Sequence, residues 1–399
     1  MNKQHSDTKK IGIVLSSVPG YSETFFRNKI KGLQNNGMEV TLFVDESQTT
    51  SHNLPCELIV APKFNSGFFL KLKNVCIAAI KCCFVNPKQS LKHYKLDKKD
   101  GIAFKQRIKN LIFNQYLLGQ DLDWLHFGYG MLATNRENVA EATNTKMAVS
   151  FRGFDLYLSP LKHQNCYKIL FSKNVEFHVL SEKMKQRLTT YHVSENRIHV
   201  ITPAIDTSLF ESPNRKVETR KTLDILCISR LHWVKGLHYL LEAMSILKKD
   251  EINFKLTIIG DGEEKERLIF AAHQYGILDD VVFTGKLTQT EVIQHLKTSN
   301  VYIQYSIQEG FGNAVLEAQA MGLPCIVSDA DGLQQNVLHN KTGWVVPKRN
   351  PIALAKKIID IHFLDPEKRD AITSAAVKRV NNDFNLNNQN RLFLEFYRN

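Results

Sequence analysis

Val301-Tyr302-Ile303-Gln304-Tyr305 runs through Ser306-Ile307-Gln308 into Glu309-Gly310-Phe311-Gly312-Asn313-Ala314-Val315-Leu316-Glu317. The β-branched and aromatic run predicts a strand, and the two glycines predict a tight turn. The stretch from Asn313 to Met321-Gly322 then predicts a helix, with Pro324 beginning its exit. Strand, glycine turn and helix make up the unit from which doubly wound α/β sheets are built. Gly310 and Gly312 let the backbone bend and come close to a ligand. The N–H groups of Asn313, Ala314 and Val315 would open onto an anion at the helix N-terminus. Glu317, just over one turn inside, reaches a polar group beside that anion. A phosphate next to a carboxylate-bound hydroxyl pair describes a nucleoside diphosphate, with pyrophosphate on the helix end and ribose on Glu317. As bare residues, Glu309 and Glu317 also fit ordinary surface carboxylates.

Short apolar runs of the same kind recur along the chain. Ile11–Ser16, Val40–Val44, Leu58–Val60, Trp124–Phe127, Met147–Phe151, Phe177–Leu180 and Ile198–Ile201 form one series. Leu223–Ser229, Lys255–Ile259, Val281–Thr284, Val301–Tyr305, Cys325–Ser328 and Trp344–Val346 form a second. Continuous apolar strands separated by helical patterns imply parallel sheets covered on both faces. The expected fold class is therefore α/β, with two doubly wound Rossmann-like domains: residues 1–205, a polar linker at 206–220 around Pro213, and residues 221–382. A last helix over about 383–399 is expected to fold back on the first domain. Ligands of such sheets sit outside the carboxyl ends of the strands, so two facing domains predict one cleft.

A second constellation, Ser229-Arg230-Leu231-His232-Trp233-Val234-Lys235-Gly236, lies at the carboxyl end of the strand Leu223–Ser229. Arg230 and Lys235 bring two positive charges to one loop, a pair suited to neutralising a departing diphosphate.

Composition narrows the alternatives. At 399 residues the chain exceeds one ordinary core, and 43% hydrophobic with 23% charged residues is soluble-globular usage. The apolar run after Lys10 is short and soon broken by Pro19-Gly20, which reads as a buried first strand and not a signal peptide. Seven scattered cysteines without CxxC spacing read as reduced core thiols of a cytoplasmic protein. The net charge of +12 is uneven, because residues 63–109 hold twelve Lys/Arg against Asp97 and Asp100. A basic face suits anionic lipid, a phosphorylated substrate or nucleic acid, and equally a solvated helical surface. Nucleic acid is the weak option, since no RNA-binding or helix-turn-helix signature accompanies the charge. Phe68, Phe69, Leu72, Val75, Cys76, Ala79 and Cys83 recur at near-helical spacing with Lys71, Lys73 and Lys81 between them. That pattern fits either an element lying on an anionic inner leaflet or a stripe packed on the first sheet.

These segments resemble the family 4 glycosyltransferases, a large retaining group of GT-B fold that serves capsule, exopolysaccharide and lipopolysaccharide assembly. Ser229-Arg230-Leu231, Lys235-Gly236, Gly260-Asp261-Gly262, Phe283-Thr284-Gly285, Glu309 to Glu317 and Thr342-Gly343 fall in the family's order. The resemblance implies that Arg230 and Lys235 grip the donor diphosphate, that Glu317 binds ribose, and that Glu309 approaches the donor sugar. It places Gly260, Gly285, Lys286 and Leu287 near the nucleotide, beside the loop Gly310, Phe311, Gly312, Asn313, Ala314 and Val315. In the first half, Gly20-Tyr21-Ser22-Glu23 is similar to the acceptor-side loop of colanic-acid-type members, and His126 and Asp155 fall at further acceptor-side landmarks. The implied reaction is metal-independent transfer of a hexosyl residue from a nucleotide-diphosphate sugar, with retention, to a glycan or lipid-linked acceptor. No cofactor is implied.

Two departures stand out. Where many members carry His-Gly-x-Asp close to the transferred sugar, this chain reads Phe151-Arg152-Gly153-Phe154-Asp155. Arg152 cannot serve as a base near neutral pH, which leaves it a donor-binding or phosphate-binding role in the catalytic set with Glu309, Arg230 and Lys235. Where the family has a carboxylate, Asp331-Gly332-Leu333-Gln334-Gln335 ends on Gln335. The pairs Asp121/Asp123 and Asp329/Asp331 match DxD, yet without the single-domain layout that uses it. Two alternatives stay open: a GT-B-fold nucleotide-sugar epimerase, and a catalytically silent protein that binds nucleotide-sugar or glycan and scaffolds other enzymes.

Overall fold

The structure, a computed structural model, describes residues 8–20, 24–46, 54–64, 67–211 and 222–398. The chain divides into two compact units, Met1–Ile201 with Asn390–Asn399, and Thr202–Gln389. Most of the expected linker lies outside the described residues.

The first unit is built on β1 (Lys10–Ser17), β2 (Glu39–Glu46), β3 (Glu57–Val60), β4 (Trp124–Phe127), β5 (Lys146–Phe151), β6 (Val175–Val179) and β7 (Ile198–Val200). They line up as β3-β2-β1-β4-β5-β6-β7, every pair parallel. Apolar residues on both faces explain the parallel pairing: Ile11, Ile13, Val14 and Leu15 of β1 are all buried. The helix Thr24–Asn35 lays Phe26, Ile30 and Leu33 on one face. The last helix, Leu386–Arg398, adds Phe393, Phe396 and Tyr397 to the same core. Trp124 Nε1 donates to the Tyr397 carbonyl at 3.0 Å, tying that helix to β4.

Beneath this helix lies a polar chain with one consistent direction. His178 Nε2 donates to the Ile201 carbonyl at 3.0 Å, so a neutral His178 accepts on Nδ1 from Ser150 Oγ at 2.7 Å. Ser150 then accepts from His126 Nε2 at 2.7 Å, and His126 Nδ1 accepts from Tyr397 OH at 2.5 Å, with Lys29 Nζ 3.3 Å away. Lys29 is 2% exposed, sits 4.2 Å over the Phe393 ring, and has no carboxylate partner among the described residues. Burial, and then the charge of Lys29, hold the His126 imidazole well below its ordinary range, and burial does the same to His178. Both are therefore neutral when folded and take up protons on unfolding, so their stability is complete above about pH 6.5 and is lost as pH falls. Lys29, lowered by burial and by Arg152, contributes with the same sign at higher pH. Between pH 7 and 5 the two histidines should lower the stability of the first unit by on the order of 1 kcal/mol per pH unit each, opposed by the Glu137 carboxyl, which burial pushes up to about 7. NMR of the imidazoles in the folded protein checks the chain: either ring taking up a proton between pH 7 and 5 contradicts it.

The second unit repeats the plan with β8 (Leu223–Ile228), β9 (Phe254–Ile259), β10 (Val281–Gly285), β11 (Val301–Gln304), β12 (Cys325–Ser328) and β13 (Trp344–Val346). Their order is β10-β9-β8-β11-β12-β13, again parallel throughout. The order reverses direction between β8 and β11, which puts the switch point between the loops that follow those two strands.

The basic segment of the first unit forms a helix Phe68–Ile80, one π-helical stretch Lys81–Val85, and helices Pro87–Lys99 and Phe104–Phe113. Its apolar side chains do not pack on the sheet as a stripe. Phe69 is 85% exposed and Phe84 81%, and Leu70, Leu72, Ile77, Ile80 and Val85 also face solvent. Cys76 and Cys83 are exposed as well, which corrects their reading as core thiols. Among the described residues no helix is long and apolar enough to cross a membrane.

Candidate active site

The loops flanking the switch point of the second unit are stitched together by backbone hydrogen bonds. Ile307 N donates to the Val234 carbonyl at 2.7 Å, joining the loop after β11 to the loop after β8. Gly236 adopts φ +63°, and a Cβ there would stand 2.2 Å from the Tyr305 carbonyl oxygen, so only glycine permits this approach. On the other side, Leu231 N donates to the Asp261 carbonyl at 3.0 Å and Gly260 N to the Gly285 carbonyl at 2.9 Å. Residues 229–236, 260–262, 285 and 306–312 thus share one rim.

At its centre Lys235 Nζ lies 2.6 Å from Glu309 Oε2, with the two side chains only 15% and 13% exposed. Ser306 Oγ donates to the same oxygen at 3.0 Å. Arg230 is exposed on the first of the two loops, and Lys286 is exposed beyond Gly285, with Leu287 half-buried. Gly312, at φ +91°, caps the helix Asn313–Ala320 without any side-chain hydrogen bond. The leading N–H groups of Asn313 and Ala314 are therefore left to whatever binds at the helix end. Glu317 sits half-buried on that helix, and burial pushes its carboxyl up to about 7.

Several expected roles are revised. Phe311 offers the rim no side chain: its ring is buried, edge-on to Phe384 at 5.7 Å, and it anchors the loop from behind. His126 is no acceptor-side group, because alternation along β4 turns its side chain inward to Ser150 and Tyr397. Asp155 is also withdrawn from the surface. Its carboxylate accepts from the N–H groups of Gly130, Arg152 and Gly153 at 2.9, 2.8 and 3.1 Å, fastening the loops after β4 and β5. Arg152, at the carboxyl end of β5, spreads its guanidinium over Phe25 at 3.7 Å and Phe26 at 4.4 Å. Gly20 is exposed after β1, while Tyr21, Ser22 and Glu23 lie outside the described residues. The DxD pairs serve the fold: Asp123 and Asp121 pair with Lys9 and Lys10, and Asp329 accepts from Lys348 N at 2.9 Å.

Other residues of the site carried no motif. Asn336 Nδ2 donates to the carbonyls of Phe311 and Gly312 at 2.5 and 3.0 Å, holding the helix cap open. Arg379 in turn grips the carbonyls of Asn336 and Gln335 at 2.6 and 2.7 Å. An asparagine and an arginine far along the chain give no local signal of such contacts.

Residues 210–379 match the family described as Glycosyl transferases group 1. The chain carries a glycosyl transferases group 1 domain. Over 394 residues it is 26% identical to a protein of Escherichia coli (strain K12) described as the colanic acid biosynthesis glycosyltransferase WcaL, covering 94% of this chain and 96% of that one. The amylovoran biosynthesis glycosyltransferase AmsK of Erwinia amylovora is 27% identical over 280 residues, 68% of each. Among solved structures, a glycosyltransferase of Rickettsia africae superposes with a TM-score of 0.70 at 22% identity over 98% of both chains. Anabaena Alr3699/HepE, solved with UDP and glucose, gives 0.72 at 15% identity over 97% of this chain and 99% of that one. The fold is that of the GT-B glycosyltransferases, and the chain is a glycosyltransferase.

Proposed function

We propose that this glycosyltransferase moves a hexosyl residue, with retention, from a nucleotide-diphosphate sugar to a glycan or lipid-linked saccharide in cell-surface polysaccharide synthesis. The observation that carries the donor assignment is the Lys235–Glu309 pair at the switch point, beside a helix end with no side-chain cap. The chemistry needs a cation where negative charge builds on the leaving diphosphate and a carboxylate near the sugar. Lys235 and Arg230 supply the first, Glu309 the second, and Glu317 receives the ribose hydroxyls. The WcaL and AmsK relatives, both described as polysaccharide-biosynthesis glycosyltransferases, support the acceptor class. We place the acceptor at the carboxyl edge of the first sheet, near Gly20 and Arg152. Arg152 there is a fixed cation, not a base. Two basic side chains at the leaving group make a metal unnecessary, so EDTA should leave turnover intact.

Glu317 gives the sharpest test of donor binding. Its ionised form accepts both ribose hydroxyls, and its carboxyl titrates at about 7 when the site is free. Donor affinity should therefore strengthen as pH rises through about 7 and level off above it. Glu317→Ala should weaken donor binding by about 1–3 kcal/mol and abolish that pH dependence. Unchanged affinity in the folded variant, measured by calorimetry with UDP- and GDP-sugars, removes Glu317 from the ribose.

The exposed apolar side chains of 69–85, set among Lys71, Lys73 and Lys81, favour an anionic membrane surface as the place of work. Phe69, Leu72, Ile80 and Phe84 would enter the interface while the lysines meet acidic headgroups. The protein should sediment with phosphatidylglycerol vesicles at low salt, and release as salt rises. Protein that stays in the supernatant at low salt refutes the membrane reading.

A further inference from the structure

The Glu309 carboxylate is held on one oxygen and left open on the other. Oε2 takes both Lys235 Nζ and Ser306 Oγ, at 2.6 and 3.0 Å, whereas Oε1 has no hydrogen-bond partner among the described residues. Ser306 itself ends a buried ladder. Tyr302, Gln304 and Ser306 alternate along one face of β11 and its extension, and each is at most 3% exposed. Tyr302 OH donates to Gln304 Oε1 at 2.7 Å, and Gln304 Nε2 donates to Ser306 Oγ at 3.0 Å. The serine proton is then left for Glu309.

The reverse arrangement is self-defeating. If the Gln304 amide turned over, its oxygen would draw the serine proton, and Ser306 would present a lone pair to an ionised carboxylate. The anionic Glu309 selects the observed order, and Tyr302 holds it by giving its proton to Gln304 Oε1. Ser328 Oγ, donating to the Ser306 carbonyl at 2.5 Å, fixes the backbone of the same residue.

We infer that Ser306, oriented by Gln304, is a positioning residue that keeps Glu309 Oε2 occupied so that Oε1 alone meets the donor sugar. The inference rests on the proposed donor site. When a diphosphate arrives, its charge draws Lys235 away from Glu309, and Ser306 is then the protein donor that remains on the carboxylate. Without it Glu309 can rotate, and the sugar loses its fixed partner during the step in which charge develops.

The test compares three variants in steady-state transfer and in equilibrium binding of UDP- and GDP-sugars. Ser306→Ala should lower kcat about tenfold or more while donor Kd stays within about twofold and the melting temperature is preserved. Gln304→Glu adds a readout that a packing role would not move. The introduced carboxylate, once ionised, takes the serine proton for itself, so kcat should decline as pH rises and recover in acid. Wild type should not show this decline. The inference is overturned if both variants keep wild-type kcat and pH profile, or if Ser306→Ala loses melting temperature and donor binding together with kcat. Glu309→Gln separates this from the underlying reading. Loss of transfer in Glu309→Gln with unaffected Ser306→Ala defeats the serine alone, whereas full transfer by Glu309→Gln defeats the donor site as drawn.

Discussion

Lys235→Ala should reduce turnover by about 10²–10³-fold, the usual effect of removing one preorganised charge from a developing anion. In the free protein Lys235 is spent on Glu309, at 2.6 Å and with little solvent around either group. Donor binding trades that pair for a diphosphate, so ground-state affinity gains little from the lysine. The gain comes later, as the glycosidic bond to phosphate breaks and a full charge reaches the leaving oxygen. Donor Kd should therefore move less than kcat. Arg230→Ala should show the same pattern with a smaller loss, because its guanidinium is exposed and more of its charge is screened. Single-turnover rates against donor affinity decide the matter. A variant that loses affinity and turnover in equal measure would make Lys235 a ground-state anchor only.

Tyr397→Ala should destabilise the first unit by roughly 3–5 kcal/mol, the cost of emptying a large aromatic site. Tyr397 is fully buried, stands edge-on to Trp124 at 5.6 Å, and closes the polar chain on His126 Nδ1. Removing it leaves a cavity and takes the closer of two donors from His126 Nδ1, where Lys29 Nζ remains at 3.3 Å. For a unit of this size the melting point should drop by on the order of 10 °C. Tyr397→Phe separates the two contributions, since it keeps the ring and loses only the hydroxyl. Differential scanning calorimetry in which Tyr397→Ala melts within a degree or two of wild type would show that the last helix does not hold this core.

The strands were legible because a strand buried on both faces is written as an unbroken apolar run. Cys325–Ser328 and Trp344–Val346 needed nothing more. The glycines of the Glu309 loop were legible for a similar reason, since few other residues serve at Gly312 with φ +91°. Side chains whose role depends on a strand's face were not. His126 stands next to Phe127-Gly128 and reads as a rim residue until β4 is placed between β1 and β5, when alternation turns it under the last helix. Lys29 looks like any helical lysine, because nothing local says that Phe393 and Tyr397 will cover it. Gln304 and Ser306 read in the sequence as the tail of a strand and a linker. Their partnership with Glu309 needs both the strand face and the fold of the loop. Phe311 belongs to the expected nucleotide loop, but the pocket of its ring comes from Phe384, far along the chain.

The measurement that bears most directly on sugar transfer is proton NMR of the reaction of purified protein with a nucleotide-sugar and a lipid-linked saccharide, run in EDTA on anionic vesicles. A new glycosidic signal should grow with the anomeric configuration of the donor and vanish in Lys235→Ala. A donor that is only epimerised, a product of inverted configuration, or a reaction that requires added Mn²⁺ would contradict retaining, metal-independent transfer by this site.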